Sequence, residues 1–302
     1  MLKFWRWFTS PESAPSPATG TRPEVHGVTL DPNGFNELKQ CRSGPMVYNR
    51  FDVYVGGALQ KYGEFSVGEL DIFSELIEEG MLVVDAGANI GAHTVEFARL
   101  VGPKGTVYAF EPQRLVFQTL CANLAINQLT NVFARQVAVG NISGTIKVPD
   151  FHPGKIANFG GVALGAYEKG EDVPLIRLDD LELPQCNFIK VDIEGMEVDF
   201  LLGAEKTIRT HRPILFVEND RDENSADLIQ LLFDLNYDLY WHLATIFRPG
   251  NFFGAVENIF PGVKSVNMLC VPKENPLVVG NLHRVMTTSE NSKLALSRGT
   301  GG

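Results

Sequence analysis

The chain has 302 residues, 44% of them hydrophobic, and carries a formal net charge of −10. That length allows one large domain with appendages and a sizeable core. The acidic balance, with no basic stripe interleaved with aromatics, excludes phosphate-backbone binding as the main activity, so no nucleic-acid partner is expected.

The four cysteines, Cys41, Cys121, Cys186 and Cys270, form no C-x-x-C pair. That argues against a zinc knuckle or a disulfide framework and for a reducing, cytoplasmic setting. The opening MLKFWRWFTS is too short, and too interrupted by Lys3 and Arg6, for a transmembrane helix or an ordinary signal peptide. Two readings of it stand. Phe4, Trp5, Trp7 and Phe8 form an interfacial foot giving weak peripheral membrane contact through residues 1–8, or the segment is a plain tail. PESAPSPATGTRP after it reads as linker, so 1–29 is expected to be a disordered tail and linker.

Residues 30–80 form a preamble and lid: a hairpin-like piece, a loop at Tyr62–Ser66, and a helix from Val67 to Glu79 that Gly80 ends. The domain proper, 81–275, alternates strand and helix. Strands are expected at 81–86, 105–110 and 131–139, with helices at 91–101 and 113–127 between them. GTIKV and a loop-rich insert from Pro149 to Val173 interrupt this order. NFIKVDIEG, a helix at 195–209, PILFVEND, a helix at 222–235, YDLYWHL and SVNMLCVP resume it. Alternation of this kind predicts a doubly wound α/β sheet, and the short link before SVNMLCVP predicts that the final strand runs antiparallel. Residues 276–302 read as an extension that is mostly mobile tail.

MLVVDAGANIG carries the chemistry. A buried strand runs into Asp85, then into a turn holding Gly87, Asn89 and Gly91, then into a helix. Free backbone N–H groups at such a turn meet ligands beyond the carboxyl ends of the strands. Glu111 ends the second strand in VYAFEP, where an acid accepts hydrogen bonds from ribose hydroxyls. The order D-x-G-x-N-x-G departs from the dinucleotide pattern G-x-G-x-x-G, and an aspartate beside a diphosphate is repulsive. A cationic sulfonium donor, S-adenosyl-L-methionine, suits an acidic turn. Gly87 would let the backbone approach it, and Gly91 would let the helix pack on the strand.

These motifs, with NFIKVDIEGMEVDFLLGAEKTI and PILFVEND, resemble FkbM-type class I methyltransferases over residues 45–272. The resemblance implies a seven-stranded, mostly parallel, Rossmann-like sheet with its last strand antiparallel. It also implies S-adenosyl-L-methionine-dependent O-methylation of a sugar, glycan or natural-product hydroxyl. Within it, Tyr62 and Glu64 of YGEFS fall where such enzymes cover the methionine end of the cofactor, and Glu64 would meet the ammonium. Glu64's surroundings equally read as a helix start, with Ser66 as cap and Glu69 three residues on. Pro112 of VYAFEP and Ala138 of QVAVGN fall along the nucleoside.

Proton removal needs a base at a strand end facing the sulfonium. Asp192 and Glu194 end the fourth strand, Glu218 ends the fifth, and His242 follows the sixth. Two mechanisms stay open: Asp192, Glu194 or His242 as general base, or a magnesium ion held by Asp192, Glu194 and Glu218. Glu197 reads as a helix-surface acid or a partner of Lys190, and His93 as structural. Asn158, Phe159, Asn251, Phe252 and Phe253 lie in loops that read either as acceptor walls or as plugs of the core edge. Rival readings are a nicotinamide-dependent oxidoreductase and a non-catalytic scaffold. The acceptor and the oligomeric state, a homo-oligomer included, stay open.

Overall fold

The apolar runs that read as buried strands form the centre of one sheet. The computed structural model describes residue 31 and residues 33–161 and 167–291. The expected tail and linker, with the aromatic opening segment, lie outside the described residues, as does the chain after 291.

The preamble holds β1 (Asn36–Cys41), β2 (Gly44–Asn49), α1 (Val55–Tyr62) and α2 (Val67–Leu76). Next come β3 (Leu82–Ala86), α3 (Thr94–Leu100), β4 (Thr106–Phe110), α4 (Arg114–Ile126) and β5 (Val132–Arg135). β6 (Ala138–Val139), β7 (Gly144–Val148) and β8 (Glu171–Ile176) frame the insert. The second half holds β9 (Phe188–Val191), α5 (Glu197–Gly203), α6 (Glu205–His211), β10 (Ile214–Glu218) and α7 (Asp222–Asp234). β11 (Tyr237–Thr245), β12 (Lys264–Pro272) and β13 (His283–Arg284) close the order.

The large sheet runs β13-β11-β12-β10-β9-β3-β4-β5. β4, β3, β9 and β10 pair in parallel, and β12 is antiparallel to both β10 and β11. The seven-stranded, mostly parallel sheet with its last long strand reversed is therefore present, with the two-residue β13 added at one edge. Alternation of side chains across the pleat buries both faces. Val84, Ala86, Ile189 and Val217 pack with Phe200, Ile208 and Leu228 from α5, α6 and α7. Val83, Val107, Phe188 and Phe216 pack with Phe73 and Phe97 from α2 and α3. Each of the buried Val, Leu, Ile and Phe side chains among these contributes on the order of 1.5–3 kcal/mol.

Several expected elements differ. The single strand over 131–139 splits: β5 stays at the sheet edge with Phe133 exposed, while β6 turns away to pair with β8 in a small three-stranded sheet. The single helix over 195–209 also splits. Asp179 accepts from the Lys206 and Thr207 N–H groups, at 3.0 and 2.8 Å, and from the Thr207 hydroxyl, which starts α6 as a separate helix. The expected hairpin lies upstream, at β1 and β2, and the stretch after it forms α1 instead. Helix α2 stops at Leu76 because Ile77 turns extended and is buried. The extension after 275 packs through residue 291: Val285 is buried, Leu277 and Leu282 lie against the core, and β13 pairs with β11.

Asn123, fully buried in α4, ties the preamble to this sheet. Its side chain accepts from Val47 N at 2.7 Å and donates to Val47 O at 2.9 Å and Ile90 O at 2.8 Å. Asn123→Ala leaves these buried groups unpaired, so urea denaturation should show a loss of about 2–3 kcal/mol.

Candidate active site

Strand order reverses between β4 on one side of β3 and β9 on the other, and ligands bind beyond the carboxyl ends at such a point. A cleft of about 390 Å³ lies there, a volume suited to a small-molecule ligand. One end is lined by Gly87, Asn89, Glu111, Pro112 and Ala138, and the other by Asp192, Glu194 and Glu218. Eight of the expected site residues thus meet at one cavity.

The turn after β3 is shaped by the neighbouring strand. Gly87 has φ +80°, and a Cβ there would lie 1.7 Å from the Asp192 carbonyl oxygen, so the close approach it serves is that of the β9 end. Gly91, at φ +86°, faces the Leu120 side chain of α4 rather than the cleft. The Gly87 and Ala88 N–H groups donate to Phe110 O, and Asn89 N donates to Glu111 Oε2 at 3.0 Å. Glu111 Oε1 accepts from Gln113 N at 2.9 Å, while burial pushes its carboxyl up to about 7.

Asp85 does not face the cleft. Its carboxylate is fully buried beneath the turn, accepts from the Thr94 hydroxyl at 2.7 Å, and lies 3.5 Å from Lys190 Nζ. Asp85 thus organises the start of α3 instead of presenting its charge to the cleft. Glu64 and Tyr62 are likewise internal. Glu64 lies between Arg42 and Arg248 at 2.9 and 3.0 Å and accepts from Phe252 N at 2.9 Å, so all its charge is spent fastening loops. The Tyr62 hydroxyl accepts from Ile259 N at 2.8 Å, within an aromatic cluster with Phe247 and Phe260.

His242 sits inside β11, opposite Asn267, against the Phe216 ring. It does not line the cleft, and burial pushes it down to about 4, so it is neither placed nor poised as a base there. Of the loop residues, Asn158 lines the cleft and Phe159 is buried beside it. Asn251 instead staples its own loop through Arg248 O, Ala255 O and Ala255 N. Phe252 and Phe253 pack over Gly63.

The acidic end is a cluster of three carboxyl groups. Asp192, Glu194 and Glu218 each offer an oxygen within 4.8 Å of the others. Burial, then repulsion from Asp192, pushes Glu194 up to about 7 against the 2.6 Å contact from Arg221. The same causes hold Glu218 well above the usual carboxylate range, and its Oε2 is buried without a hydrogen-bond partner. Glu197 is buried and accepts from Gly195 N at 2.9 Å, shaping the loop rather than pairing with Lys190.

Sequence reasoning passed over three cleft residues. Lys190 Nζ lies 3.1 Å from Asp192 and donates to Gly87 O at 3.4 Å; a lysine within the apolar run FIKV was the available signal, since a buried charge demands partners. Glu69, read as a capping partner, instead accepts from Ser265 and, at 3.0 Å, from Asn267 on β12, while Ser66 makes no side-chain cap. His93 lies 3.4 Å from Glu69, and burial pushes it down to about 3. Elements far apart in the chain, α2, the start of α3, β9 and β12, bring these together, so local pattern did not disclose them.

A carboxyl whose pKa is raised on folding adds stability that is full below its unfolded value near 4.5 and is lost as pH rises through about 7. Urea midpoints should therefore fall between pH 5 and pH 8, and Glu194→Gln should flatten that fall.

Three comparisons bear on this site. The family described as Methyltransferase FkbM domain matches residues 85–239, more than half of the chain. Hexuronic acid methyltransferase AglP of Haloferax volcanii is 30% identical over 172 residues, 55% of this chain and 68% of that protein. Methyltransferase 1 of Beauveria bassiana is 27% identical over 185 residues, 51% and 72% of the two chains. Among solved structures, Methyltransferase FkbM from Methylobacillus flagellatus matches at TM-score 0.42 and 22% identity, over 64% of this chain and 43% of that one. The matched span runs from the glycine turn through the acidic cluster to β11, and the chain belongs to the FkbM methyltransferase family.

Proposed function

We propose that this methyltransferase uses S-adenosyl-L-methionine to methylate a hydroxyl of a sugar, glycan or natural-product acceptor. The observation that carries the reading is the shared cleft, with Glu111 at one end and the acidic cluster at the other. The donor set fits a sulfonium nucleoside. Glu111 meets ribose hydroxyls, Pro112 and Ala138 offer apolar contact to the base, and the acids favour positive charge. A diphosphate would meet six acidic side chains in the cleft, Glu69, Glu111, Asp192, Glu194, Glu218 and Asp220, against two lysines, Lys264 and a Lys190 already surrounded by acids. That balance disfavours the nicotinamide reading. AglP, named for methylating a hexuronic acid, supports a sugar-like acceptor.

When bound, the cofactor supplies an activated methyl group for in-line displacement by the acceptor oxygen. The protein's part is alignment and proton removal. Lys190 holds Asp192 at the lip, where it would orient the acceptor by accepting a hydrogen bond from a hydroxyl next to the reacting one. Glu218, with a free buried oxygen and a raised pKa, takes the proton, and Glu194 tunes it by repulsion. A second reading is favoured by the 4.8 Å grouping: Asp192, Glu194 and Glu218 hold a divalent cation such as magnesium, which orients vicinal hydroxyls.

Calorimetry should show binding of S-adenosyl-L-methionine and none of NAD; the reverse would sink the reading. Screening labelled-methyl transfer to uronic-acid and neutral glycans should identify an acceptor. Glu218→Gln and Asp192→Asn should then lower turnover by about 10²–10⁴-fold while cofactor affinity stays nearly constant. Loss of turnover in chelator, restored by added magnesium, selects the cation version; indifference to chelator selects the carboxylate base.

A further inference from the structure

Gln113 follows Glu111 and Pro112, precedes α4, and is only 7% exposed. Its Nε2 donates to Phe159 O at 2.6 Å. A backbone carbonyl only accepts, so this contact fixes which way the amide faces. Oε1 is thereby left over, buried and without a hydrogen-bond partner, in a residue that lines the cleft beside Glu111. A buried amide carbonyl left unpaired is unfavourable, and such atoms are normally satisfied. The mechanism above makes no use of it.

Phe159 belongs to the insert, which is itself strapped down at this point. Phe159 N donates to Asp52 Oδ1 at 3.3 Å, and Ala157 exchanges backbone hydrogen bonds with Phe51 and Val53. Gly160 lies so near the glycine turn that a Cβ there would be 2.6 Å from Asn89 Nδ2. One side chain therefore touches both the nucleoside end of the cleft and the backbone that covers it.

We propose that Gln113 reads the adenosine of the cofactor. Its side-chain carbonyl accepts a hydrogen bond from a nucleoside donor, the 6-amino group or a ribose hydroxyl, while its N–H pins the insert over the same nucleoside. This rests on the S-adenosyl-L-methionine reading. It adds a recognition residue and a link through which cofactor occupancy steadies the insert wall that carries Asn158.

The test titrates the full chain with S-adenosylhomocysteine, S-inosylhomocysteine, and the 2′-deoxy and 3′-deoxy forms of S-adenosylhomocysteine. Wild type should bind at least one analogue about tenfold or more weakly than the parent; Glu111 accounts for ribose penalties that persist in Gln113→Leu, and the analogue whose penalty that variant abolishes names the donor. Gln113→Leu should bind the parent about tenfold more weakly and lose that same discrimination, so the result does not rest on the variant's stability. Hydrogen exchange of residues 151–161 should slow on ligand binding in wild type and not in Gln113→Leu. The proposal is overturned if wild type treats all four ligands alike, or if every penalty persists in Gln113→Leu. Failure of wild type to bind S-adenosylhomocysteine at all would instead overturn the cofactor reading beneath it.

Discussion

The site is organised around a single buried ammonium. Lys190 Nζ sits under the glycine turn, 3.5 Å from Asp85, 3.1 Å from Asp192 and 3.4 Å from Gly87 O. Burial opposes its charge, yet Asp192, Asp85 and Glu69 together hold it above the ordinary lysine range. Charges taken from water are tolerated only when partners surround them, and losing one partner is strongly unfavourable. The arrangement joins β3 and β9 at the strand reversal. The turn, the lip carboxylate and the acid beneath them therefore share one geometry.

This dependence explains why the acids of the cleft differ in role despite like chemistry. Asp85 faces inward to the ammonium and to Thr94, while Glu111 and Glu218 sit at strand ends and line the cavity. Burial raises the pKa values of Glu111, Glu194 and Glu218, and repulsion from Asp192 adds to it at Glu194 and Glu218, so those two neighbours titrate together rather than as separate groups. The matched methyltransferase family and the acid-rich cleft fall on the same span of the chain.

Much of the fold was legible because parallel strands covered on both faces read as unbroken apolar runs. LVVDA, FIKV and ILFVE all fall where the runs predicted, and the reversed last strand followed from a Gly/Pro-rich link that carries no helical pattern for a crossover. The break between α5 and α6 was hidden because its cap, Asp179, comes from a distant turn. In the site, spacing located the residues that end strands: Gly87, Glu111, Asp192 and Glu218. It did not resolve side-chain direction, and so placed Asp85, Glu64 and His242 at a ligand they do not face. Glu64 shows the reason plainly, since Arg42 and Arg248 reach it from segments 22 and 184 residues away.

The reversal of β12 has an evolutionary corollary. Because β12 runs against both neighbours, β11 points the same way as β10, and the segment from 246 to 263 leaves the sheet on the cleft side. Ile246 and Val263 at its two ends form part of the cavity wall, while Asn251 gives it an internal brace. A lineage can therefore rewrite this segment, and with it the molecules admitted, while leaving the hydrogen-bonded ladder beneath intact.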